Sequence, residues 1–597
     1  CRVLTEQRPN IVDSLGLLLL PFRFSIAFTR SDTDSRVPCA FCDRPTSRLT
    51  KLPCCSSLAH SLACLRLRAC LRVLEMESTL DTIKEIIFAS HEDNRLLAIV
   101  PLVAVVAVPS AIYALRCVSL SFDKWYLYRS TYVKTAALFY LTPLGRGLVR
   151  LVGCRGSIAP NGDEATVEVE WVRRAIAAEQ RKPDSLWSRN DLPEASSIRS
   201  VSIARDGLKG GFVGEMFKIL VYTDQYPDTR LAAELETDAA DAPEPTPATT
   251  LVVKTIRRDL GRRFSAALLG TAREAFFYRD FASSPELTDL RLTPRTLYAD
   301  GSRAAGSFTV VMEDLSKKAV LASQLLGHQC WGPPPPLPTT MTNAVPQPEH
   351  VIEAAFVQYA QVHARFWRRG ELLDMPWLKH VDWLLGRDRA RWELAMDGMH
   401  TRWSTILEHA AESKVVWPNE VVAMTHEALN NTSWAAFHER FDVSKPDTPF
   451  TLCHGDFHAG NMFWAHSSND VYSVDFAEVG VFCPFTELAQ YLISNATVAL
   501  RREHEQRLFR LYYDRLIAEG VSPELFPYDQ CWERYKLGGI ERWLQMLIIM
   551  GAIHALMPNG MPGFAMDFFI EQTRAFIEDH GSTLKKPIMF MTGYCIA

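Results

Sequence analysis

The sequence predicts an α+β chain of two lobes, a small strand-rich lobe over residues 161–315 and a larger, mostly helical one over 316–597. Three observations predict this division. Alternating apolar segments bounded by turn residues crowd the first region, segments of helical spacing dominate the second, and a 20-residue uncharged stretch precedes both. At 597 residues the chain is too long for one ordinary core.

The segment "TVEVEWVRRAIAAEQ" opens the small lobe with helical spacing, and "SIRSVSIARDG" follows as a strand running into a turn. In "GLKGGFVGEMFKILVYTD", Gly207, Gly210, Gly211 and Gly214 stand before an alternating strand from Met216 to Thr223. Residues 225–250 form a polar, proline-containing insertion with the composition of a disordered loop. The chain resumes with the strand "LVVKTI", a single helix "SAALLGTAREAFFYRDFAS" and the strand "SFTVVMEDL". Beyond Leu315, "VIEAAFVQYAQVHARFWRRG", "LAQYLISNATVAL" and "EQRLFRLYYDRLIAEG" read as amphipathic helices. The run "GPPPPLP" at 332–338 is a surface excursion, and the chain shows no internal repeat.

Hydrophobic residues make up 48% and charged residues 22%, a globular composition. The formal net charge of −5 lacks the basic excess of a nucleic-acid binder, so no nucleic-acid partner is expected. Seven of the 14 cysteines lie within residues 1–75, yet the Cys39–Cys42 pair has no second pair at zinc-site spacing. That region precedes the first methionine, Met76, and lacks periodicity. It is expected to be a presequence or other non-domain, disordered segment.

Residues 76–160 read as a membrane-anchor region. The stretch 96–115, "LLAIVPLVAVVAVPSAIYAL", has the length of a single transmembrane helix, in which Pro101 and Pro109 are tolerated. Five acids against two bases precede it over 77–95, whereas Arg116, Lys124, Arg129 and Lys134 follow it. The positive-inside rule places the C-terminal side, and hence a catalytic domain, in the cytosol. Trp125, Tyr126 and Tyr128 would mark the interface.

The residues that carry chemistry come in a fixed order. Glycines before a strand let backbone N–H groups approach phosphates; Lys254 on the next strand is a point charge; Glu274 on the following helix would hold it. In "CHGDFHAGN", Asp456 and Asn461 are separated by five residues, and Asp475 follows in the alternating stretch "VYSVDF". This is the spacing of an Asp-x4-Asn catalytic loop, residues 454–461, with a metal-binding Asp on the next strand. Each piece alone is weak: a strand lysine is often a snorkelling residue, and clustered glycines are often only a turn. The order of all of them is what points to phosphoryl transfer.

"HGDFHAGN" with "SVDF" resembles the phosphotransferase loop of the aminoglycoside phosphotransferase and choline kinase superfamily. "TVVMEDL" is similar to that group's hinge strand, and "AQVHARFW" to the helix before its catalytic region. Together with "REAFFY", these segments are closest to the ecdysteroid-kinase-like branch. The resemblance covers about residues 165–580. It implies a bilobal protein-kinase-like fold, with an antiparallel small lobe containing one main helix. It also implies ATP and Mg²⁺ as cofactors. Asp456 would be the catalytic base, and Asn461 and Asp475 the metal ligands. Lys254 paired with Glu274, Gly210, Gly211 and Gly214, and the backbone of Glu313, Asp314 and Leu315 would hold the nucleotide. His454, His458 and His363 are read as structural. Glu487 in Thr486-Glu487-Leu488-Ala489 stands where the family often has Asp.

The expected activity is phosphorylation of a hydroxyl group on a small organic molecule. Gly455 stands where protein kinases carry the arginine that meets a phosphorylated activation loop, and "DFA" replaces DFG. A protein kinase is therefore a weaker alternative. A membrane-tethered pseudokinase that binds nucleotide without turnover is the other. Trp367, Trp377, Trp383 and Trp392 suit either a substrate pocket or an ordinary core.

Overall fold

A computed structural model describes residues 167–590 except 189, 206–213, 227–245, 257–259, 304, 327–336, 338–344, 466–467, 469 and 557–561. The presequence, the candidate span 96–115, Gly207, Gly210, Gly211, most of the 225–250 insertion and most of the 332–338 proline run lie outside the described residues.

Among the described residues the strands form three antiparallel sheets. The largest takes β1 (Ile198–Ala204), β2 (Glu215–Thr223), β3 (Thr249–Thr255), β4 (Thr296–Ser302) and β5 (Ser307–Glu313) in the order β1-β2-β3-β5-β4. Alternation decides what each face does. Leu251 and Val253 of β3 pack with Phe217, Ile219, Val221 and Val311 against Val172 and Ile176 of helix α1 (Val169–Gln180). Residues one position out of phase, Val252 and Lys254, turn to the other face, where Val310 and Met312 meet the following helix. That phase is what buries a lysine next to a helix. Strand β4, "TLYADGS", escapes a sequence reading because Asp300 and Gly301 break its alternation; pairing along β5 supplies it instead.

The helix expected over "SAALLGTAREAFFYRDFAS" is two helices, α2 (Leu260–Leu269) and α3 (Arg273–Asp280). The break falls at Gly270, whose φ of +69 ends α2 and lets the chain turn.

In the large lobe, α4 (Pro348–Arg365) buries Val351, Ile352, Ala355, Phe356, Tyr359 and His363 on one continuous stripe. Helices α5 (Arg389–Glu408) and α6 (Asn419–Asn431) follow. Short strands make the other two sheets: β6 (Ala319–Leu321), before α4, and β7 (Thr451–Cys453), β8 (Met462–Ala465), β9 (Val471–Ser473) and β10 (Gly480–Phe482), after α6, in the orders β6-β8-β9 and β10-β7. The helix expected over "LAQYLISNATVAL" is also two: α7 (Pro484–Asn495) and α8 (Val498–Ala518), the second capped by the Thr497 hydroxyl accepting from the Leu500 N–H at 3.2 Å. Helix α7 is buried on nearly every side, under α9 (Tyr528–Leu556) and α10 (Gly563–His580). Trp383 and Trp392 are buried in the main core and Trp367 and Trp377 pack against it, so all four are core residues. Among the described residues no helix is long and apolar enough to cross a membrane.

Candidate active site

The catalytic-loop segment connects β7 to β8, and β10 returns to pair with β7, so Asp456 and Asp475 are brought together by a short antiparallel frame. Its geometry depends on glycine at position 455. There φ is +83, and a Cβ would lie 2.0 Å from the Glu478 carbonyl oxygen. The Gly455 N–H donates to Glu487 Oε2 at 3.1 Å, while Glu487 Oε1 meets His363 Nε2 at 2.7 Å and His363 Nδ1 meets the Tyr512 hydroxyl at 2.8 Å. Glu487, standing where the family often has Asp, therefore anchors the loop to α4 and α8. Donor atoms of His363, Cys453 and Glu487 lie within 4.8 Å of one another. Both imidazole nitrogens are already hydrogen-bonded, and burial pushes the Cys453 thiol up, so the cluster serves as a hydrogen-bonded foundation for the loop.

His454 also braces the loop. Its Nδ1 accepts from the Asp456 N–H at 3.3 Å, which requires Nε2 to carry the proton donated to Val474 O at 2.9 Å. Burial holds its pKa below the usual value, in keeping with this neutral tautomer.

Asp456 is surrounded by donors. Asn461 Nδ2 lies 3.0 Å from its carbonyl oxygen and 3.2 Å from Oδ2; Gln490 Nε2 donates to Oδ1 at 3.1 Å; His458 Nε2 lies 3.4 Å from Oδ2. Burial alone would raise this carboxyl. The facing His458, together with Arg542, holds it well below the usual carboxylate range. Burial would lower the His458 pKa, but Asp456 raises it above its ordinary value.

Lys254 reaches the same region from the small lobe. Its ammonium lies 2.8 Å from Glu274 Oε2 on α3 and 2.7 Å from Asp475 Oδ1. Burial opposes its charge, yet the two carboxylates raise its pKa. Burial pushes Glu274 up to about 7, with Lys254 opposing and Asp475 adding to the shift. Phe476, next to Asp475, stacks on Phe277 of α3 with ring centroids 3.7 Å apart and also lies against His454. One aromatic side chain thus joins the helix of Glu274 to the 454–461 loop. Gly214 lies against the Lys254 stem, its virtual Cβ 3.7 Å from Cε.

Glu313, Asp314 and Leu315 end β5 at the junction of the lobes. The Glu313 N–H is used within the fold, donating to Arg295 O at 2.9 Å, and its carboxylate pairs with Arg295 and Lys318. Asp314 binds Lys218 at 2.7 Å.

The donor set suits a hard divalent cation. Asn461 spends its amide nitrogen on Asp456, leaving Oδ1 as its ligating atom, and the Asp475 side chain remains 38% exposed despite its contact with Lys254. A small, mostly apolar cavity of about 30 Å³ opens beside the loop. Phe437, Phe441, Phe450 and Phe482 line it, with Gln490 and Arg542 also in its wall.

The described residues thus make a fold of mixed helix and sheet, with the strand lysine, helix glutamate and loop acids converging between the five-stranded sheet and the helical part. Residues 394–520 match the ecdysteroid kinase-like family. This is the resemblance expected from "HGDFHAGN". The ecdysteroid kinase-like match spans Asp456, Asn461 and Asp475, and it leaves Lys254 and Glu274 outside. No match is found among curated proteins. Among solved structures, a choline kinase from Cryptosporidium parvum Iowa II is similar at 10% identity over 70% of this chain and 98% of its own, with a TM-score of 0.37. A thermostable mutant of an aminoglycoside phosphotransferase shares 14% identity over 65% of this chain and 97% of its own, with a TM-score of 0.32. An amicoumacin kinase solved with AMP-PNP and Ca²⁺ shares 12% over 65% and 90%, with a TM-score of 0.31.

Gln490, Arg542 and Phe476 were not among the residues singled out from sequence. Gln490 left a signal, since it lies three positions after Glu487 on one helix face. Arg542 left none.

Proposed function

We propose that this protein is an ATP- and Mg²⁺-dependent kinase that phosphorylates a hydroxyl group of a small organic molecule. The observation that carries this reading is the convergence of Lys254, Glu274 and Asp475 beside the Asp456–Asn461 loop. In this reading Lys254, oriented by Glu274, holds the nucleotide phosphates, and the backbone of Glu313 to Leu315 faces the adenine, with Gly210, Gly211 and Gly214 covering the phosphates. Asn461 Oδ1 and Asp475 would hold the magnesium, which when bound neutralises charge on the phosphate oxygens.

Asp456 orients the acceptor hydroxyl. A carboxylate held this far below its usual range stays ionised and is a weak base. It therefore takes the proton as the acceptor oxygen gains the γ-phosphoryl and the bond to the β-phosphate breaks. Gly455 leaves no arginine at that position to meet a phosphorylated activation loop, which argues against a protein acceptor. The stretch 96–115 would tether the lobes to a membrane, with the C-terminal side in the cytosol.

The test is Asp456→Ala, assayed by ATP-dependent mass gain of one phosphate across a metabolite library. Transfer should fall by at least about a thousandfold, with ATP affinity within a few-fold of the unsubstituted protein. Undiminished transfer by the variant would sink the assignment. Absence of ATP consumption by the unsubstituted protein with every acceptor would leave a nucleotide-binding scaffold.

A further inference from the structure

We infer that Gln490 and Arg542 form a positioning arm that sets the Asp456 carboxylate from the core of the large lobe. The inference rests on the reading of Asp456 as the base. Gln490 is on α7 and Arg542 on α9, and each is only 5% exposed. Arg542 Nε lies 3.0 Å from Gln490 Oε1, and Gln490 Nε2 lies 3.1 Å from Asp456 Oδ1. A second branch runs from Arg542 Nη2 to the Gly455 carbonyl oxygen at 3.2 Å.

The chemistry of the three groups allows one orientation. A guanidinium can only donate and an ionised carboxylate can only accept, so the amide between them must turn its oxygen to Arg542 and its nitrogen to Asp456. Gln490 is thus an adaptor with a fixed direction. Neither a hydrocarbon nor a carboxylate of the same length could serve. The other Asp456 oxygen, Oδ2, receives Asn461 Nδ2 and faces His458, so the two carboxylate oxygens are held from different elements.

The placement of Arg542 follows from the helix crossing. A Cβ at Gly538 would lie 2.3 Å from Thr486 Oγ1, and one at Gly539 would lie 2.8 Å from the Ala489 Cβ. The two glycines let α9 approach α7 at this depth, and Arg542 comes one turn later, level with Gln490. The arm also bears on the lone glycine at 455. Protein kinases place an arginine beside the base and leave it to be oriented by phosphorylation. Here an arginine from 87 residues away grips the same backbone through buried partners. The base is therefore set without a modified residue.

The experiment uses the full chain with MgATP as the probe and water as acceptor, following ATP hydrolysis, ATP affinity and thermal midpoint. Gln490→Glu is the decisive variant. It retains, and by charge strengthens, the link to Arg542, but it cannot donate to Asp456 and sets a like charge against it. Its turnover should fall about ten- to a hundredfold, with KM for ATP within about twofold and the thermal midpoint still above the assay temperature. Gln490→Leu should lose turnover similarly. In an Asp456→Asn background Gln490→Leu should cost nothing further, because its effect passes through that carboxylate. Turnover of Gln490→Glu within twofold of the unsubstituted protein overturns the arm, as does a Gln490→Leu loss that persists in full beside Asp456→Asn. An Asp456→Asn variant as active as the unsubstituted protein instead removes the base reading. Inactive Asp456→Asn beside normal Gln490→Glu removes only the arm.

Discussion

Glu274 carries the sharpest consequence of how the site is charged. Two carboxylates share one ammonium, and the fully buried one bears the penalty, which pushes it from its ordinary value of 4.5 up to about 7. Between those values the folded protein holds a proton that the unfolded chain has released. Stability therefore declines as pH rises from about 4.5 to about 7, by an amount on the order of 2–3 kcal/mol. Urea midpoints measured at pH 5 and pH 8 with a chelator present should differ less for Glu274→Gln than for the unsubstituted protein. Part of the decline persists in the variant, because burial also pushes Glu541 up to about 7. An equal decline in both proteins would show that Glu274 is ionised throughout. Gly455 illustrates a different limit on what a residue reveals. From sequence it reads as the absence of an arginine, whereas in the fold it is a steric requirement, with no room for any Cβ beside the Glu478 carbonyl.

At the scale of elements, the link that matters is between α3 and the turn that follows β9. Phe476 is 2% exposed and stacked on Phe277, so it transmits the position of Asp475 to the helix that carries Glu274. Phe476→Ala should cost about 3–5 kcal/mol of stability from the lost ring and the cavity. In the fraction that folds, KM for ATP should rise, since Lys254 would lose its fixed partner. Phe476→Leu should recover most of both, and a Phe476→Ala protein with unchanged KM would show that α3 is held without this ring. Element boundaries were less legible than element types. Gly270 and the Thr497 cap each divide a segment whose apolar periodicity runs on unbroken, because periodicity reports burial and is blind to a change of axis. Strand β4 was invisible for the converse reason, being defined by its partner rather than by its own pattern.

For the whole molecule, Arg273 closes the structure by tying α3 to the large lobe, with Nε on Trp377 O at 2.8 Å and Nη1 on Ala477 O at 2.7 Å. Lys254 meets Asp475 across the same junction, so an ion pair also joins the two lobes. The anchoring expected of 96–115 belongs to this scale and rests on sequence alone. Full-length protein should sediment with membranes after alkaline carbonate washing, and a chain lacking residues 1–120 should not; recovery of the full-length protein in the wash would remove the anchor.

The sequence by itself determined the two-lobed division, the β3 lysine and the Asp456–Asn461–Asp475 spacing. These are local patterns: alternation, helical period, and the distance along one loop and one strand. Only the tertiary structure decided that Lys254 bridges two carboxylates, that Glu487 secures Gly455, and that Gln490 and Arg542 reach Asp456. Those contacts join residues at least 20 positions apart on different segments of the chain. No short-range periodicity encodes which buried polar groups will meet once helices cross, and each of these groups is buried at a cost that only its partner offsets.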